Sequence, residues 1–203
     1  AGVQRGTTLL AAPVSGNAKV VRAGKLCIAV SGPEEAYRAV EHLLRMIGGA
    51  VTYLGDADVA RLVKLAHNMF LGVVIESLAE VTVLAQRGGV SRSAFLEFMN
   101  GSVLGSTFTR YKSPALVNLD LNPTFTTALL RKDFDLGLAA ARGLEVPLPT
   151  AALAHQILQS AIGRGHGEQD FAALLVEAAL AAGAELKPEN VAVDDGLHPA
   201  AEA

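Results

Sequence analysis

Between Asp56 and about Gln86 the chain carries a helical pattern whose apolar residues wrap most of the circumference instead of one stripe. A helix of that kind must be enclosed on several sides, which makes this segment the expected central helix of a bundle. Gly88-Gly89 suits its C-terminus. Its longest apolar stretch, residues 71–85, is broken by Glu76 and Glu80. That leaves it short of the roughly 20 uninterrupted residues a membrane span needs. With 203 residues, 51% of them hydrophobic, the chain can supply one large core or two small ones around such a helix.

Upstream of Asp56 the pattern differs. Short apolar runs at residues 8–14, 25–30 and 50–54 are bounded by Gly, Pro or Ser and read as strands. Between the last two, Ala36, Val40, Leu43, Leu44 and Ile47 recur at helical spacing, with Pro33, Glu34 and Glu35 in first-turn positions. This is a right-handed strand-helix-strand unit, too small a sheet to stand alone, and it reads as the closing portion of a larger α/β domain whose N-terminal part is absent.

Downstream only helical patterns follow: a short helix capped by Ser91 and running to Met99, then helices near residues 126–142, 150–162 and 170–182. The expected fold is therefore an α/β remnant over residues 1–54, an all-α helical bundle over 55–183, and a mobile tail over 184–203, where Ala, Glu, Asp and Pro dominate.

A net charge of −3 with interspersed signs argues against nucleic acid or an anionic membrane as partner. A small molecule or a second copy of the chain fits better. The single cysteine, Cys27, cannot form an internal disulfide, which fits a cytoplasmic setting, and no secretory leader opens the sequence. The five histidines show no metal-ligand spacing, so no metal is expected.

Three elements could carry chemistry. The turn Ala12-Pro13-Val14-Ser15-Gly16-Asn17 exposes backbone N–H groups and a hydroxyl of the kind that hold a carboxylate or phosphate, although by itself it reads as an ordinary turn. Lys64 and Asn68, four residues apart, share a helical face. An ammonium there can polarise a carbonyl and donate a proton while an amide orients both; a snorkelling lysine beside a satisfied polar group accounts for the pair equally well. His67 points about 100° away from Asn68 and reads as a packing or surface residue. The third element, Lys132-Asp133 with Phe125 upstream, reads alone as a solvated helix face. Ser15 has no identifiable partner base, and no strand leads into G-x-G-x-x-G, so dinucleotide binding is not encoded in these residues.

Together and in this order, the three elements resemble the β-hydroxyacid dehydrogenase family, which includes 3-hydroxyisobutyrate dehydrogenases and glyoxylate/succinic semialdehyde reductases. Ala12-Pro13-Val14-Ser15-Gly16 followed by Ala23-Gly24-Lys25-Leu26 resembles the family's substrate motif. Gly55, Lys64 and Asn68 resemble its catalytic motif, and Phe125 with Lys132-Asp133 its cofactor-proximal one. The resemblance implies the end of a Rossmann-type domain followed by an all-helical, dimerising domain. It implies hydride transfer between NAD or NADP and a short hydroxy acid or its semialdehyde or keto acid.

By the same resemblance Ser15, Gly16 and Asn17 hold the substrate carboxylate. Lys64 is general acid/base, Asn68 positions substrate and lysine, and Lys132 lies over the nicotinamide. The family's N-terminal glycine-rich turn has no counterpart, so this length of chain is expected to be inactive by itself. A non-catalytic helical dimerisation module and an imine or aldehyde reductase of the same superfamily are the alternatives.

Overall fold

Residues 7–197 are described by a computed structural model, and they form two compact units that meet between Asn68 and Met69. The change of unit falls inside a long helix.

The first unit holds a three-stranded sheet of order β1-β2-β3: β1 (Val14–Ser15), β2 (Cys27–Val30) and β3 (Ala50–Tyr53). β1 runs antiparallel and β3 parallel to β2, the latter as the strand-helix-strand pattern requires. The connecting helices are α1 (Ala18–Arg22) and α2 (Glu34–Ile47). The expected strand over residues 8–14 shrinks to an isolated pairing of Ala11 with Ser31 and the two residues of β1. Pro13 lies between them, and a proline offers a ladder no N–H. Its carbonyl still accepts from Ala29 N–H at 3.0 Å.

Leu26, Ile28 and Val30 point to one side of β2 and pack with Tyr37 of α2, whose ring stacks on Tyr53 at 4.7 Å. Ser31, just after β2, accepts a hydrogen bond from Ala60 N–H at 3.0 Å and so anchors the first turn of α3 (Ala60–Arg87). Strand order thus fixes where the Lys64 face of that helix begins.

In the second unit the later part of α3 contributes Ile75, Leu78, Ala79 and Val83 to the core, together with side chains of α4 (Arg92–Gly101), α5 (Thr107–Asn118), α6 (Thr127–Gly143), α7 (Pro149–Ala161) and α8 (Leu174–Ala181). By length and composition α3 could cross a membrane, but half of its apolar window is buried in the protein, as for the bundle's central helix. Gly72 and Gly137 permit close approach of α3 and α6: a Cβ at the first would strike the Phe134 ring, and one at the second the Met69 sulfur.

α5 has no counterpart in the expected helices. It carries Pro114 and buries Thr109, Lys112 and Ser113, so no apolar stripe announces it. Its signal is local, a reciprocal capping box between Ser106 and Thr109.

Residues 184–197, expected as a mobile tail, make specific contacts with the rest of the second unit. Arg92, 2% exposed, donates to the carbonyls of Leu116, Val117 and Lys187, and Glu189 accepts from the Arg92 and Ser93 N–H groups at the start of α4. Leu186 and Val193 pack on the core. A polar composition concealed a segment held by charge-assisted hydrogen bonds to helix ends. Residues 198–203 of that expectation lie outside the described ones.

Candidate functional site

The turn after β1 and the first half of α3 belong to the same unit, and a hydrogen-bonded link joins them. Ser15 Oγ lies 2.9 Å from His67 Nε2, and His67 Nδ1 lies 3.0 Å from Asn68 Oδ1. Asn68 is 5% exposed, whereas Ser15 is half-buried and His67 exposed. Lys64 is half-buried one turn before Asn68. The face that carries the expected acid/base residue is thereby tied to the expected carboxylate turn.

The hydrogen-bond partner that sequence reasoning did not find for Ser15 is His67. Its 100° offset from Asn68 turns it toward β1, and a spacing rule confined to one helix could not place β1 there.

Gly16 sits at φ 141°, and a side chain at this position would collide with Val20 and Leu26. The turn can therefore present bare backbone here. Asn17 uses its side-chain oxygen to cap α1, accepting from Lys19 and Val20 N–H at 2.9 and 3.1 Å. Its side chain is thus engaged in holding the turn.

Lys132 lies in the second unit on α6, with its side chain 56% exposed and its ammonium 2.8 Å from Asp133. Phe125 packs partly buried against that unit's core. In the first unit the glycine turn between β2 and α2 is not a pyrophosphate cradle. Gly32 N–H donates to the Gly55 carbonyl, Pro33 has no N–H, and Glu34 N–H donates to the Asp56 carboxylate. Among the described residues, groups of three or more His, Cys, Asp or Glu side chains that could hold a metal are absent.

A carboxyl far from its ordinary range lies elsewhere. Glu76, buried within the second unit, has its carboxyl pushed up to about 7 by burial, with Glu80 and Glu177 adding repulsion. One of its oxygens has no hydrogen-bond partner, and neither has one of the equally buried Glu177, whose other oxygen accepts from Ser160 and pairs with Arg164. Composition gave no sign of this pair, because only packing places both carboxylates inside.

Residues 59–178 match the family described as the NAD-binding domain of NADP-dependent 3-hydroxyisobutyrate dehydrogenase. Residues 2–55 match the NAD-binding domain of 6-phosphogluconate dehydrogenase. The chain is 34% identical to L-threonate dehydrogenase of Cupriavidus necator over 85% of its own length and 58% of that protein's. It is 30% identical to mitochondrial 3-hydroxyisobutyrate dehydrogenase of Drosophila melanogaster, covering 82% and 54% of the two chains. A crystal structure of 3-hydroxyisobutyrate dehydrogenase from Salmonella typhimurium superposes with a TM-score of 0.79 at 27% identity, over 86% of this chain and 61% of that one.

The chain therefore spans little more than half the length of these curated relatives. The two domain matches in sequence, the shared fold and the order of the motifs agree: the chain belongs to the β-hydroxyacid dehydrogenase family of NAD(P)-dependent oxidoreductases.

Proposed function

We propose that this chain is the substrate-handling and dimerising portion of a cytoplasmic enzyme that oxidises a short hydroxy acid, reversibly, to its semialdehyde or keto acid. The observation that carries the reading is the link from Ser15 through His67 to Asn68, which ties the turn after β1 to the helix segment that carries Lys64. In that arrangement Ser15, Gly16 and the Asn17 backbone hold the acid group. Lys64 takes the hydroxyl proton during oxidation and returns it during reduction, and Asn68 orients both. Lys132 is given the cofactor-contacting role by the family motif it matches. The hydride belongs to the nicotinamide, and on this reading the chain by itself is inactive.

Large exposed apolar side chains in the second unit, Phe70, Leu84 and Leu153 among them, support a homodimer.

The test is Lys64→Ala in the complete enzyme. Turnover should fall by about 10²- to 10⁴-fold with the melting temperature little changed. Near-normal turnover would sink the assignment. A Lys64→Met variant that keeps full activity and gains stability would favour a bare dimerisation scaffold instead.

A further inference from the structure

His67 does more than fill the space between the turn and the helix. Asn68 presents its carbonyl oxygen to His67 Nδ1 at 3.0 Å, and an amide oxygen can only accept. The ring therefore carries its hydrogen on Nδ1 and leaves a lone pair on Nε2. Ser15, 2.9 Å away, must then donate its O–H to that lone pair.

A hydroxyl committed in this way offers an incoming carboxylate only lone pairs, which repel it. If the ring takes up a proton, Nε2–H donates to Ser15 Oγ instead, and the Ser15 O–H is released to donate to the carboxylate. Besides the Ser15 hydroxyl from β1 and the Asn68 amide, the nearest charge on the same helix is Lys64, three residues before. No carboxylate of the described residues pairs with His67.

We propose that His67 is a specificity-determining positioning residue: a carboxylate docks at Ser15 together with one proton taken up by the His67 ring, which links affinity for acids to pH. The proposal rests on the carboxylate role given to Ser15 above.

The 203-residue chain, labelled with ¹⁵N, allows a direct test by NMR. In the ligand-free protein on the alkaline side of the imidazole titration, His67 should be the Nδ1–H tautomer. The Nε2–H tautomer would overturn the proposal without any ligand. The chain is then titrated with 3-hydroxypropionate and with its neutral amide between about pH 5.5 and 8.5, the range in which imidazole titrates.

Affinity for the acid should fall about tenfold per pH unit above that titration, as one linked proton requires. Affinity for the amide should stay flat, and His67→Gln, which cannot titrate, should flatten the acid's profile. An undiminished slope in His67→Gln, or a flat wild-type profile while Ser15→Ala still abolishes acid binding, would overturn the role of His67 alone. If Ser15→Ala binds the acid like the wild type, or residues 15–17 do not respond to it, the carboxylate reading fails and this proposal fails with it.

Discussion

Glu76 shows how one side chain can make a packed helix sensitive to pH. Its carboxyl is raised from 4.5 to about 7, first by burial and then by the charges of Glu80 and Glu177. The folded state thus holds a proton that the unfolded chain has released once the pH exceeds 4.5. Stability contributed by the protonated form is complete below that value and lost as pH rises through about 7. Glu76→Gln keeps the shape and removes the charge. It should leave stability at pH 5 nearly unchanged and raise it at pH 8 by roughly 1–3 kcal/mol, the usual cost of an unsatisfied buried group. Urea unfolding at the two pH values checks this, and equal effects at both would mean that Glu76 is ionised in the folded protein throughout.

At the scale of elements, the approach of α3 to α6 depends on residues without side chains. Gly72→Ala should destabilise the second unit by about 1–3 kcal/mol, because the added methyl meets the Phe134 ring and a filled core resists overpacking. An alanine variant as stable as the parent would show that Phe134 can move aside.

What was legible in the sequence follows the same division. The central helix, the strand-helix-strand unit and the α4 cap at Ser91 were readable because each depends on local spacing or a local cap. α5 and residues 184–197 were not, because buried polar side chains hold them: Lys112 to Asp170 at 2.6 Å, and Arg92 to carbonyls on α5 and in the C-terminal segment. At the site, the Lys64–Asn68 face was readable from helical geometry. The Ser15–His67 contact spans 52 residues and exists only once β1 has paired with β2.

Across the whole molecule the buried charge is unevenly shared. Among the described residues, the buried Asp, Glu, Lys and Arg side chains, Glu76, Arg92, Lys112, Asp133, Asp170 and Glu177, all belong to the second unit. The buried polar residues of the first unit, Ser31 and Asn68, do not ionise.

Burial alone would raise the Asp170 carboxyl, but Lys112 and the N–H groups of Ala172 and Thr124 outweigh it and hold the group below its ordinary 3.8. Its contribution is therefore present above that value and lost as pH falls through the lower folded one. Protonation also leaves Lys112, 2% exposed, beside a neutral acid, and breaking a buried pair in this way costs about 3–5 kcal/mol.

The second unit thus loses stability both in acid, through Asp170, and above neutrality, through Glu76, whereas among the described residues of the first unit no buried carboxylate does either, and its lowered carboxyl, Glu41, sits on the surface of α2. Acid should open the two units separately. As pH is lowered below about 4, amide resonances of residues 69–197 should disperse less and broaden before those of residues 7–68, where the Tyr37–Tyr53 stack and the β2 core persist. Simultaneous loss of both sets, or earlier loss of the first, would show that the units unfold as one and that the buried ion pair does not set the acid limit. Asp170→Asn should abolish the acid step in the second unit while lowering its stability near neutral pH, and that pairing of effects separates the titration of this one group from a general response to net charge.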